Sequence, residues 1–220
     1  MKSITRSIWA VLFSVAVLPG CFPVVATGVG VGALMIADRR TSGAYVEDEA
    51  IEWKVGNRIG EQFKERAHVN VTSFNRIVLL TGEAPDPAAK AEIGRLAAGV
   101  ENVRSVVNEL DIAAPSGFGA RSNDTYITSK VKARFLEANR FPATAVKVIT
   151  EAGVVYLMGL VTRPESEAAA EIARTTSGVK KVVRVFEFIS AEEARRLDNR
   201  AESERRVPTS PPQKNLYRPQ

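Results

Sequence analysis

The sequence predicts an α+β fold: two small tandem domains, each running helix-strand-strand-helix-strand, with a three-stranded mixed sheet packed on two helices. Three observations carry this prediction. First, one unit is written twice. Asp48, Ile51, Lys54 and Val55 match Asp124, Ile127, Lys130 and Val131 at a shift of 76, and Val71, Leu80 and Gly82 match Val148, Leu157 and Gly159 at 77. Glu92-Ile93, Gly99-Val100 and Val103 match Glu171-Ile172, Gly178-Val179 and Val182 at 79, so the shift grows only between periodic segments, where loops absorb length changes. Second, both copies alternate helical and strand periodicity in the same order. Third, 220 residues at 45% hydrophobic and 25% charged describe a folded chain with room for two small cores.

The N-terminus reads as an address. Lys2 and Arg6 precede an apolar run of ten residues, Trp9 to Leu18, which is too short to span a bilayer and has the layout of a secretory signal. The run ends at Leu18-Pro19-Gly20-Cys21, and Cys21 is the sole cysteine of the chain. This tetrapeptide resembles the bacterial lipobox, which implies lipidation of Cys21 as the mature first residue. Several acyl chains at about 0.8 kcal/mol per buried CH₂ anchor a protein durably. Phe22 stands where an aspartate would imply inner-membrane retention, so the implied destination is the periplasmic face of the outer membrane. Residues 21–44, with Thr27-Gly28-Val29-Gly30-Val31-Gly32 and Asp38-Arg39-Arg40-Thr41-Ser42-Gly43, read as a lipidated N-terminus and flexible tether, with a short membrane-hugging piece at 33–37 as an alternative.

The first domain is expected over 45–115. Ile51, Val55, Ile59 and Phe63 form one apolar stripe of an amphipathic helix. Strands follow near Val69–Ser73 and Ile77–Leu80, then a helix at Pro87–Ala98 and a strand at Val103–Ile112. The second domain is expected over 116–189. Ser122-Asn123-Asp124 offers helix-capping side chains ahead of the Ile127–Val131–Phe135 stripe. Val146–Thr150 and Val154–Met158 are β-branched runs joined by the turn Glu151-Ala152-Gly153. An alanine-rich helix from Glu165 to Thr176 is expected to be capped by Gly178, and Val182–Ile189 reads as the last strand. Beyond 190, Glu and Arg at three- and four-residue spacings from Ala191 to Arg206 predict an exposed helix held by weak ion pairs. Four prolines in Val207–Gln220 predict a disordered tail.

The duplicated unit, with glycines after its second strand (Gly82, Gly159) and before its third (Gly99, Gly178), resembles the BON domain of exported bacterial proteins. The closest stretches are Ser122-Asn123-Asp124-Thr125-Tyr126-Ile127-Thr128-Ser129-Lys130-Val131 and Tyr156-Leu157-Met158-Gly159-Leu160-Val161-Thr162. Two such units behind a lipobox resemble the dual-BON outer-membrane lipoproteins. That resemblance implies a non-enzymatic protein that binds anionic phospholipid through the first helix of its second domain, supports envelope integrity and gathers at the division site.

The copies differ in charge. Residues 45–115 hold 8 Lys+Arg against 12 Asp+Glu, a net of −4, whereas residues 116–189 hold 11 against 7, a net of +4. An anionic bilayer should repel the first and attract the second, at about 1 kcal/mol per Lys or Arg within a Debye length. In the second copy Tyr126, Lys130 and Arg134 form a stripe about 100° from the core stripe, an aromatic with cations beside it as at membrane interfaces. The corresponding stripe of the first copy is Ala50, Lys54 and Arg58, with Glu47, Asp48, Glu49 and Glu52 nearby. The expected lipid-binding residues are Tyr126, Ser129, Lys130, Lys132, Ala133, Arg134 and Leu136, with Gly119 in a Gly117-Phe118-Gly119 loop dipping in alongside. The alternative is a solvated helix face on a module that binds envelope proteins, such as outer-membrane assembly or cell-wall factors, and uses lipid only as an anchor.

Other candidates point to less. One cysteine and one histidine exclude a His/Cys cluster and an internal disulfide. His68, just before a strand, reads as satisfied or exposed, and Trp53 as packed between domains or at the core edge. Gly28-Val29-Gly30-Val31-Gly32 lacks the strand and lysine of a phosphate loop. No cofactor, metal, nucleic acid or catalytic group is expected, the partners are anionic phospholipids such as cardiolipin or phosphatidylglycerol, and the protein is expected to be a monomer.

Overall fold

Helix, hairpin, helix, strand: both copies keep this order over residues 39–114 and 118–206, which a computed structural model describes. Residues 1–38, with the expected leader and Cys21, residues 115–117, and residues 207–220, with the expected tail, lie outside the described residues. The first copy consists of α1 (Ser42–Phe63), β1 (His68–Phe74), β2 (Ile77–Ala84), α2 (Pro87–Ala98) and a last strand in two pieces, β3 (Ser105–Asn108) and β4 (Asp111–Ile112). The second consists of α3 (Phe118–Ala138), β5 (Val146–Glu151), β6 (Val154–Val161), α4 (Arg163–Arg174) and β7 (Lys181–Phe188), and α5 (Ala191–Arg206) follows. In each copy the hairpin is antiparallel and the last strand joins the middle one in parallel, which the crossover helices α2 and α4 make possible. The expected mixed sheets are therefore present.

The helical stripes face their sheets. Ile51, Val55, Ile59 and Phe63 close on Val78, Leu80 and Ile93 in the first core, and Ile127, Val131 and Phe135 close on Val148, Leu157 and Ile172 in the second. A buried carboxylate on each first helix locks the hairpin to it. The loops Asn75-Arg76 and Ala152-Gly153 have positive φ at both positions (50° and 65°; 50° and 81°), the two-residue turn whose twist matches paired strands. Such a turn points backbone N–H groups inward. Asp48 accepts from Asn75 N and Arg76 N, both at 2.7 Å, and Asp124 accepts from Ala152 N at 2.9 Å and Gly153 N at 2.8 Å. Asp124 thus lies inside α3 rather than capping it, because Phe118 already opens the helix, and the expected Gly117–Gly119 loop is helix from Phe118 onward.

Alternate residues of the middle strands point the other way. Ile77, Leu79, Tyr156, Met158, Leu160, Val183 and Val185 gather with Phe74 and Leu197 in a third cluster, between the two sheets. Each sheet is therefore covered by its helices on one face and by the other sheet on the second. This is why Ile77-Val78-Leu79-Leu80 and Val154-Val155-Tyr156-Leu157-Met158 are apolar without alternation. Polar contacts cross the rim of this seam: Lys147 Nζ lies 3.1 Å from the Glu52 carboxylate, Asn75 donates to Glu187 at 2.9 Å, and Arg104 pairs with Glu187.

Several expectations shift. The tether ends before Arg39, since Arg39 and Arg40 are buried and α1 starts at Ser42. The Arg39 guanidinium donates bidentately to Glu165 (2.8 and 2.9 Å), bidentately to Asp198 (2.8 and 2.9 Å) and to the Leu160 carbonyl (2.8 Å), which uses all five of its donors. Arg40 pairs with Asp48 at 2.7 Å. The charged helix α5 is not merely exposed, because Ala194, Leu197 and Ala201 are buried and Asp198 holds Arg39. α4 ends at Arg174 with Thr175 as its cap, and Gly178 (φ 97°) serves the following turn against Ile127. Its start is fixed by a capping box between Thr162 and Glu165. Trp53 is 69% exposed on the outer face of α1, neither between the domains nor at the core edge, because its position is diametrically opposite Ile51 and Val55.

Asp124→Ala strands two buried turn amides, so the stability measured by urea unfolding should fall by about 2–3 kcal/mol. Arg39→Met leaves Glu165 and Asp198 without their cation and should cost about 3 kcal/mol. Burial alone would push Glu165 up, but its hydrogen bonds from Arg39 and Thr162 more than offset this and hold it below its ordinary value of 4.5. A depressed carboxyl contributes stability above its unfolded-state value and loses it as the pH falls through the folded-state value. The wild type and Arg39→Met should therefore differ most above pH 4.5 and converge in stronger acid.

Candidate functional site

The α3 residues divide by where the helix turns them. At about 100° per residue, the positions opposite Ile127, Val131 and Phe135 are Tyr126, Ser129, Ala133 and Leu136. All four are exposed, Tyr126 at 62% and Leu136 at 69%. Two apolar groups thus bracket a platform of two small residues, and Ser129 returns its hydroxyl to the Thr125 carbonyl at 3.0 Å. Gly119 belongs to the first turn of α3 on the same side of the helix.

The cations flank this face. Lys130 is half-buried, with its ammonium 4.7 Å from the centroid of the Tyr126 ring and donating to the Ser177 carbonyl. That contact holds the ring and places a positive charge beside it. Arg134 is also half-buried and turned away. Its Nη1 donates to the Ile172 carbonyl at 2.9 Å and to the hydroxyls of Thr175 and Thr176 at 3.1 and 2.9 Å, which closes the C-terminal end of α4. There a cation also meets the negative end of the helix dipole. Lys132 leaves on the other flank and lines a groove of roughly 640 Å³. The groove lies between β1 and α3, and His68, Asn70, Thr128 and Glu151 also line it. The outward set is thus Tyr126, Ser129, Lys132, Ala133 and Leu136, with Lys130 and Arg134 supplying charge from its edge. Cys21, the expected lipidation site, lies outside the described residues.

The first copy presents an apolar face too, which residue matching alone does not reveal. Trp53 and Val46 (58% exposed) share the outer side of α1, one at the position of Ser129 and the other at that of Ser122. Its acids are partly engaged: Asp48 is buried in the hairpin, Glu52 accepts from Ser73 N at 2.7 Å, and Glu47 accepts from Asn102 at 2.8 Å. What separates the twins is therefore the sign of their charge more than the presence of an aromatic. Among the described residues, His68 pairs with Glu83 at 3.1 Å and approaches no nucleophile, and no helix is long and apolar enough to cross a membrane.

A family model described as the BON domain matches residues 47–114 and again 123–189. The chain belongs to the BON-domain family. Both BON domains coincide with the two helix-and-sheet units above. The chain is 41% identical over 174 residues to the outer membrane lipoprotein DolP of Haemophilus influenzae, covering 78% of this chain and 90% of that one. It is 40% identical over 154 residues to a 21 kDa hemolysin of Actinobacillus pleuropneumoniae (69% and 79% covered). It is 33% identical over 144 residues to the osmotically-inducible protein Y of Escherichia coli (64% and 72% covered). The chain is a dual-BON envelope protein similar to DolP.

Because Arg134 ties α3 to α4 within the second BON domain, Arg134→Met should register first as a loss of stability. A decrease of about 1.5–3 kcal/mol in urea unfolding is expected, since its hydrogen bonds are charge-assisted. An unchanged midpoint would show that the guanidinium is free for another task.

Proposed function

We propose that this protein is a non-enzymatic outer-membrane lipoprotein, anchored through Cys21 and facing the periplasm, whose second BON domain binds anionic phospholipid through the outer face of α3. The reading extends to support of envelope integrity and enrichment at the division site. The observation that carries it is the exposed Tyr126–Leu136 face, flanked by Lys130 and Lys132, on the domain of net charge +4. An amphipathic surface of this kind seats its ring at headgroup level while its cations meet lipid phosphates. Small residues at Ser129 and Ala133 let the helix approach the headgroups closely. Similarity to DolP, an outer membrane lipoprotein by name, supports the location.

A second reading is favoured by one observation. Trp53 and Val46 form an exposed apolar face on the acidic domain, which a bilayer of like charge would repel. Binding of an envelope protein, for instance an outer-membrane assembly or cell-wall factor, would use that face and need lipid only as an anchor.

Vesicle sedimentation separates the two. With a soluble fragment starting at Arg39, binding to cardiolipin or phosphatidylglycerol vesicles should weaken with salt. It should fall at least tenfold in Tyr126→Glu, because the substitution removes the ring and adds a repelled charge, while Trp53→Glu leaves it unchanged. Equal binding to neutral vesicles, or no effect of Tyr126→Glu in a protein with an unaltered circular dichroism spectrum, would overturn the α3 assignment.

A further inference from the structure

The seam between the sheets is apolar at its centre and acidic at one edge. There Glu83 of β2 and Glu151 of β5 are only 6% and 8% exposed, and with His68 of β1 they bring one donor atom each within 4.8 Å of the other two. His68 Nδ1 lies 3.1 Å from the Glu83 carboxylate. The Glu151 carboxylate accepts from Asn70 Nδ2 at 2.6 Å and from Thr81 Oγ1 at 3.3 Å. Two carboxylates withdrawn from water beside one imidazole are polar groups of the kind that persist inside a protein when they are paired or bound to a metal.

The duplication provides an internal comparison. Gly82 and Gly159 play the same backbone part in the two copies, since a Cβ at either would overlap the carbonyl oxygen of His68 or of Ala145. At the shift of 77, the second copy carries Ala145 and Leu160 where the first carries His68 and Glu83, and both are buried. The fold is thus satisfied by an apolar pair at this place. Packing does not call for the imidazole and carboxylate, so their presence in one copy needs another reason.

We propose that His68, Glu83 and Glu151 form a site for a divalent first-row transition ion of the Zn²⁺ type, which clamps the first BON domain to the second. One imidazole nitrogen with two carboxylate oxygens is a donor set suited to such an ion. Metal–ligand bonds of about 2.0–2.2 Å place neighbouring ligand atoms roughly 3.3 Å apart, so small swings of the carboxylates close the set. Asn70 and Thr81 hold Glu151 as outer partners that orient a ligand. The groove along β1 and α3 opens onto His68 and Glu151, which admits the ion and water for its remaining coordination. Because Glu151 comes from the second domain and the other two donors from the first, the ion bridges the seam. The inference is independent of the lipid reading.

Isothermal titration of the EDTA-treated full-length chain with ZnCl₂ should give one ion per chain, and Zn²⁺ should raise Tm. Glu151→Gln should weaken binding at least tenfold. The double variant His68→Ala, Glu83→Leu installs the second copy's pair, so it should keep its circular dichroism spectrum and lose the binding. If Glu151→Gln fails to fold, the double variant decides. No saturable binding by the wild type, or the same stoichiometry and affinity in the folded variants, would overturn the site.

Discussion

The two-faced burial of the middle strands is the constraint on which the rest depends. A unit of about 70 residues with two helices over three strands buries a modest core by itself. Here Leu79, Tyr156, Met158 and Leu160 add a shared core on the far side of both sheets. Side chains packed in such a seam hold the two domains against each other, since packed cores are not continuously deformable. Ion pairs of both senses cross the rim, Glu52 of the first domain with Lys147 of the second and Arg104 of the first with Glu187 of the second.

Much of the fold was legible because its signals are local. Core stripes at i, i+4, i+8, β-branched runs and a repeat that slips only in loops located all ten expected elements of the two BON domains, with the first domain's last strand split in two and both first helices starting earlier than their stripes. What was hidden depends on partners distant in sequence. Asp124 looked like a cap because an acid before an apolar stripe commonly is one. Its role in the hairpin turn depends on Ala152 and Gly153, which the fold brings to it. Arg39 looked like part of a tether because its five acceptors come from residues 160, 165 and 198. On α3 the exposed face was readable from spacing. The commitment of Arg134 to α4 was not, as it requires the end of a helix about 40 residues away. Glu151 is farther still in sequence from His68 and Glu83, and the three share no local pattern.

The seam also gives the outward helices separate environments. With one sheet face taken by the other domain, each domain's first helix is left to meet whatever surrounds the protein. Both present an aromatic, Trp53 on α1 and Tyr126 on α3. Near an anionic surface each charge weighs about 1 kcal/mol, so a difference in domain charge between −4 and +4 outweighs the difference between one ring and another. The twin helices can thus serve different partners without a change of fold.

The proposed lipid contact need not be strong. Seventeen residues lie between Cys21 and Arg39, where the chain is fastened by five hydrogen bonds. At about 3.3–3.6 Å per residue that stretch reaches at most roughly 60 Å, so with Cys21 as anchor the domain cannot leave the vicinity of the bilayer. Binding of α3 then becomes an intramolecular step at an effective concentration in the mM range, and an intrinsic affinity of the same order is enough to occupy it. Under that condition a tyrosine and a few flanking cations suffice, and the contact acts to orient the domain on the membrane, while retention there falls to the acyl chains.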